Sequence, residues 1–176
     1  WNVSCTDPAS NTGGSAARTI LIDTTGPAIA LNSPANQTNS SSNNPTFNWT
    51  AADVLRSTLT CNFTIDGSPN RSNLAVTNDT AYTNNSTSAF ADGAHNWSVT
   101  CWDDLNNSVT SATRTFTVAT APPSLTLNSP ANLTNTSNTN PTFNWTATGL
   151  FSTFTCNLTI DGALNRSSLS VTNGTA

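Results

Sequence analysis

The 176-residue sequence has no lysine, no glutamate and no methionine, and only one histidine. Its charge rests on five arginines and nine aspartates, so charged residues make up 8% of the chain, about a third of the usual share. Each absence removes a class of function. Without lysine, Lys–Asn isopeptide cross-links cannot form. A net charge of −4 carried by so few groups offers no basic footprint for nucleic acid and no polybasic segment for anionic lipid. No apolar run approaches the roughly 18 residues of a membrane-spanning helix. The four cysteines are widely spaced, which excludes the close Cys/His pairs of a structural zinc site. No glycine-rich phosphate loop is present, and no Ser-His-Asp arrangement involves the lone His95. A bare surface so poor in charge is poorly soluble, so some other layer must solvate it.

Asparagine, threonine and serine are abundant instead, at 81 of the 176 residues. So polar a chain suggests disorder, but five tryptophans and seven phenylalanines argue for a core. The apolar residues alternate with polar ones at the period of a strand. Phe47 and Trp49 flank Asn48; Cys61, Phe63 and Ile65 alternate with Asn62 and Thr64; Trp97, Val99 and Cys101 alternate with Ser98 and Thr100. Strands are expected near 28–32, 46–51, 59–65, 72–77, 87–91, 95–102 and 111–119, with Trp49 and Trp97 as core anchors. Asp66-Gly67 and Asp161-Gly162 are suited to tight hairpin turns.

Internal repetition sets the organisation. The run PAIALNSPANQTNSSSNNPTFNWTA from Pro27 returns from Pro123 as PSLTLNSPANLTNTSNTNPTFNWTA, and TCNFTIDGSPNRSNLAVTNDTA returns as TCNLTIDGALNRSSLSVTNGTA. Trp1, Val3, Cys5, Asp7 and Arg18 recur as Trp97, Val99, Cys101, Asp103 and Arg114, 96 residues on. Residues 1–26 therefore read as the C-terminal part of one repeat, 27–121 as a complete repeat of about 96 residues, and 122–176 as the N-terminal part of another. The short linkers between them carry proline. The start at Trp1, with neither methionine nor signal peptide, reads as a fragment or mature product. Flanking repeats or a neighbouring copy are expected to cover the apolar faces that two partial repeats leave open.

Cys61 and Cys101 are the only cysteines within the complete repeat, and both lie on the inward side of their strands. They are expected to form a disulfide, with Cys5 and Cys156 bonded to partners in flanking repeats. Such bonding implies an oxidising compartment.

The main chemical signal is the acceptor sequence for N-glycosylation, Asn-x-Ser/Thr. It occurs 17 times, at Asn2, Asn36, Asn39, Asn48, Asn62, Asn70, Asn78, Asn84, Asn85, Asn96, Asn106, Asn132, Asn135, Asn144, Asn157, Asn165 and Asn173, about twice the number that chance placement of these residues gives. In Asn48-Trp49-Thr50, Asn62-Phe63-Thr64, Asn96-Trp97-Ser98 and Asn144-Trp145-Thr146 the strand period sends both acceptor groups outward and the aromatic inward. Outer faces rich in Asn and Thr also generate such triplets by accident, and the adjacent Asn84 and Asn85 cannot both carry sugar. Only Asn106 has an acidic residue two positions earlier, Asp104, which favours archaeal or eukaryotic-type over bacterial-type transfer.

The runs LNSPAN, NPTFNWTA and ADGAHNWSVTCWDDLNNSVTSATRTFTV resemble the tandem immunoglobulin-like repeats of archaeal, and some bacterial, cell-surface proteins, over essentially the whole chain. The resemblance implies an all-β fold of tandem immunoglobulin-like β-sandwiches and a structural role in an extracellular fibre, stalk or surface layer. The alternative is an adhesin or binding module. It transfers no catalytic residue, so no enzyme, cofactor or metal is expected, only covalent N-linked glycans and, as partners, further copies or flanking repeats. Asp103-Asp104-Leu105-Asn106-Asn107 supplies oxygens suited to Ca²⁺ but reads as a loop, and His95 reads as a packing residue at a strand end.

Overall fold

The computed structural model describes residues 1–176 and contains fifteen strands and no helix. Two short strands come first, β1 (Ser4–Thr6) and β2 (Thr12–Gly14). The complete repeat contributes β3 (Ala28–Ser33), β4 (Thr38–Ser40), β5 (Thr46–Ala52), β6 (Thr58–Ile65), β7 (Ser68–Thr77), β8 (Thr80–Asn85), β9 (Gly93–Trp102), β10 (Ser108–Thr110) and β11 (Arg114–Val118). Four more follow: β12 (Ser124–Ser129), β13 (Asn144–Thr148), β14 (Thr153–Ile160) and β15 (Ala163–Thr172).

In the complete repeat the strands form two sheets, ordered β3-β5-β8 and β4-β11-β9-β6-β7, with β10 also on β9. The first stretch of chain changes sheets. It leaves its antiparallel pairing with β5 after Ser33, passes the buried Pro34 and continues as β4, parallel to β11. Proline cannot donate a ladder hydrogen bond, so it suits such a break. Arg114 Nη1 holds the crossing by donating to the Asn32 and Pro34 carbonyls at 3.2 and 3.0 Å.

The sheets meet over one apolar core. Phe47 and Trp49 from the first sheet face Phe63, Trp97 and Phe116 from the second, with ring centroids 4.7 Å apart for Phe47–Phe63 and 5.2 Å for Phe47–Trp97. The arrangement is consistent with a β-sandwich. Trp49 and Trp97 are fully buried, yet neither indole N–H finds an acceptor. An unmade bond costs on the order of 1–3 kcal/mol. Burying a ring of roughly 150–250 Å² at ~25 cal/mol per Å² gains about 4–6 kcal/mol, so packing outweighs the lost bond.

The two Asp-Gly turns form as expected. Asp66 and Gly67 have φ of 49° and 75°, and Asp161 and Gly162 have 52° and 77°, the left-handed pair that a two-residue hairpin requires. One expected strand is displaced. The sequence places a strand at 87–91, but it forms at Thr80–Asn85, where Tyr82 packs on Trp49 at 5.0 Å and the backbone pairs with β5. Residues 87–91 are irregular because Phe90 is inserted sideways against Phe47 and Phe116, its N–H bonded to the Asn43 carbonyl. β4 and β10, of three residues each, are additional strands.

Outside the complete repeat the strands pair only as β1-β2, β12-β13 and β14-β15. No helix is long and apolar enough to cross a membrane.

Candidate functional site

Cys61 and Cys101 are directly opposite one another on β6 and β9, with Cα atoms 4.1 Å apart, and they are bonded. The bridge joins neighbouring strands of one sheet, so it does not link the two sheets, which are held by packing and by side-chain bonds such as Arg71 Nε to the Asn85 carbonyl. A buried disulfide points to an oxidising compartment. Cys5 and Cys156 are free thiols, exposed and half-buried.

The acceptor asparagines lie along the outer faces, loops and turns, and none of the 17 is buried. Asn48, Asn62 and Asn96 are half-exposed while the residues that follow them, Trp49, Phe63 and Trp97, are sealed in the core. This is the pleat at work, with i and i+2 on one side. On the second sheet Thr64 pairs with Ser98 across β6 and β9, so the Asn62 and Asn96 triplets meet at their hydroxyl ends.

Several of these asparagines also have structural bonds. Asn32 Nδ2 donates to Asn48 Oδ1 at 2.6 Å and Thr50 Oγ1 at 3.1 Å, clasping both polar members of that triplet. Asn128 repeats this clasp on Asn144 and Thr146. Asn48 Nδ2 donates in turn to Thr83 Oγ1 at 2.7 Å. Asn62 Oδ1 accepts the Asn73 N–H at a bulge where Asn73 has φ of 58°, and Asn157 does the same for Ser168. Asn78 Nδ2 donates to the Asp53 carbonyl, and Asn173 Nδ2 to that of Gly149. An amide nitrogen carries two hydrogens, so each such nitrogen keeps one to donate after giving up the other to a sugar. Neither Asn32 nor Asn128 is itself an acceptor, because Pro34 and Pro130 stand where an acceptor sequence needs a hydroxyl.

The two adjacent acceptors differ. Asn85 and its Thr87 are exposed, whereas Ser86 of the Asn84 triplet is 8% exposed and its hydroxyl donates to the Ser88 carbonyl. No family model matches the chain, and no curated protein matches it.

His95 is a strand residue packed between rings. Its centroid lies 4.8 Å from Phe90 and 5.5 Å from Phe116, its Nδ1 is 2.7 Å from Asp66 Oδ2, and its Nε2 is 3.0 Å from the Ala91 carbonyl. Burial disfavours its charged form, but the hydrogen bonds to Asp66 and Ala91 and the Asp66 charge outweigh that and raise its pKa.

The Asp103 loop after β9 meets two distant carboxylates that no local spacing joins to it. Asp23 in the linker, Asp53 after β5 and Asp103 after β9 bring carboxylate oxygens within 4.8 Å of one another. Asp103 is 6% exposed. Its Oδ1 accepts the Leu105 and Asn107 N–H groups and its Oδ2 accepts Asn107 Nδ2. Burial pushes its carboxyl up, but these bonds and the Arg56 charge hold it below the ordinary value. Asp7 makes the same loop with Ala9 and Asn11 in the preceding repeat.

Proposed function

We propose that this chain is a segment of an extracellular fibre, stalk or surface layer built from head-to-tail immunoglobulin-like repeats of about 96 residues and coated with N-linked glycans. The role is structural and non-enzymatic. The observation that carries this reading is the division of the strand triplets: acceptor groups outward, aromatic inward, with no acceptor asparagine buried. A sheath of sugar there would solvate a surface almost free of charge and blunt the strand edges that invite association. The repeats divide at 26/27 and 121/122, and the apolar faces of residues 1–26 and 122–176 are covered by flanking repeats or neighbouring copies of the same protein. Cys5 and Cys156 are bonded across those contacts. The longest strands have 10 residues, so at ~3.3 Å per residue each repeat extends the fibre by roughly 30–40 Å.

Glycopeptide mass spectrometry of the protein from its native source tests the reading. Sugar is expected on Asn48, Asn62 and Asn96, and on Asn85 in preference to Asn84. Bare amides at all three strand positions would leave the outer faces as plain hydrogen-bonded Asn/Thr ladders and end the proposal.

A further inference from the structure

We propose that Asp23, Asp53 and Asp103 form a Ca²⁺ site that pins the linker at the start of the complete repeat to the ends of β5 and β9. Two oxygens held by one Ca²⁺ at about 2.4 Å are at most about 4.8 Å apart, and the three ligand atoms meet that limit pairwise. The set contains only carboxylate oxygens, which suits a hard cation over zinc or copper. Ca²⁺ accepts about 6–8 oxygens in a flexible shell, whereas Mg²⁺ binds at about 2.1 Å in a tight octahedron, so three oxygens gathered within 4.8 Å from separate segments suit Ca²⁺.

An unsatisfied group points to the ligand independently. The Asp23 side chain is 4% exposed, and one of its carboxylate oxygens belongs to the cluster. Its Oδ1 accepts the Thr25 N–H and hydroxyl, but its Oδ2 is buried with no hydrogen-bond donor. A buried carboxylate oxygen without a partner is strongly unfavourable. Arg56 does not supply the missing bond. Its Nε, 4.0 Å from Asp23 Oδ2 and 2.6 Å from Asp104 Oδ1, makes a hydrogen bond to neither and acts on the trio only as a nearby charge.

The local frame is rigid on every side. Asn107 Nδ2 donates to both the Asp103 carboxylate and the Asp23 carbonyl, and the Asn78 amide brackets the Asp53 backbone with two bonds of 2.7 Å. A Cβ at Gly26 would lie 2.8 Å from the Ser108 backbone, so only glycine lets the linker lie this close to β10. At the next junction the positions of Asp23 and Asp53 hold Ala119 and Gly149. The two carboxylates are lost together, as expected of residues that serve one ion. Ca²⁺ would thus stiffen the first junction and leave the second to flex.

Titration calorimetry of the full chain with CaCl₂ tests the site. One Ca²⁺ is expected to bind with a dissociation constant of about 10⁻⁴–10⁻³ M, the range of extracellular modules, and about 10 mM Ca²⁺ raises the melting temperature. Asp23→Asn and Asp53→Asn each weaken binding at least about tenfold. Asp7→Asn, in the same loop without the two partner carboxylates, leaves it unchanged. Arg56→Gln tightens binding by removing a cation 4.0 Å from Asp23. The site is refuted if CaCl₂ gives neither heat nor a thermal shift, or if Asp53→Asn, shown folded by circular dichroism, binds as the parent does. It is also refuted if Arg56→Gln abolishes binding.

Discussion

The complete repeat and the partial repeats share a sequence but differ in burial. Trp97, Val99 and Cys101 are fully buried, whereas their counterparts Trp1 and Val3 are 67% and 52% exposed and Cys5 is exposed. Phe47 is fully buried and its counterpart Phe143 is 38% exposed. In residues 122–176 the two strand pairs leave an open apolar cleft lined by Leu125, Leu127, Trp145, Phe154, Cys156 and Leu158. The motif alone therefore does not bury its own apolar residues. It carries the strand and its turn, and burial comes from the opposing sheet, which only residues 27–121 assemble in full.

The strongest test of that contrast is to truncate equivalent tryptophans. Trp97→Ala removes a fully buried ring from the joint between the sheets and should cost about 3–5 kcal/mol. Trp1→Ala should stay within about 0.5 kcal/mol in the same chain. Urea denaturation followed by circular dichroism reads both. Equal losses would mean that the partial repeat is as well packed as the complete one and would erase the distinction.

The disulfide sharpens the comparison next. It is separated by 40 residues in sequence, so removing it with Cys61→Ser/Cys101→Ser should cost about 3–4 kcal/mol by loop closure. Without reductant, alkylation of the 176-residue chain should label Cys5 and Cys156 and spare the other two. Pulled from its ends, the bridged repeat should release roughly 130–140 Å less chain than the reduced one, since 40 residues at about 3.3–3.6 Å each stay locked. Equal contour lengths in single-molecule stretching would show that the bond carries no load.

Much of this contrast is legible in the sequence, because period-two alternation and Asp-Gly turns act over a few residues. Phe47, Trp49, Phe63 and Trp97 are assigned inward on pattern alone and are the core. The cysteine pair follows from repeat position. Features set by distant partners are hidden. The strand at Thr80–Asn85 depends on pairing with β5 and on Tyr82 meeting Trp49, while Phe90, which suggests a strand by its apolar neighbours, fills a gap in the core instead. The carboxylate trio is invisible for the same reason. Asp23, Asp53 and Asp103 come from a linker and two strand ends, and no local spacing joins them. The outward asparagines are legible as acceptors, but their bonds to Asn32, Asn73 and Thr83 depend on register across strands.

The smallest effect, and the most local, is the pH response of His95. The complete repeat holds the chain's single histidine, with a side chain 15% exposed beside an Asp66 that is 45% exposed. Its pKa is raised in the folded state, so the folded form binds the proton more tightly than the unfolded form. The resulting stability is fully present below the ordinary value of 6.5 and disappears as pH rises through the folded value. Partial exposure of the pair keeps that contribution small. Asp92 behaves oppositely. The Thr120 backbone and side chain and the Ala121 N–H hold its carboxyl low, so its contribution is lost only as pH falls below 3.8, outside the histidine window. Between about pH 5.5 and 8 the urea midpoint of the parent should therefore fall, while that of His95→Gln stays flat at a lower level, having lost the packing on Phe90 and Phe116. A parent midpoint that rose across this range would reverse the sign and place the Asp66 pair outside the folding equilibrium of the core.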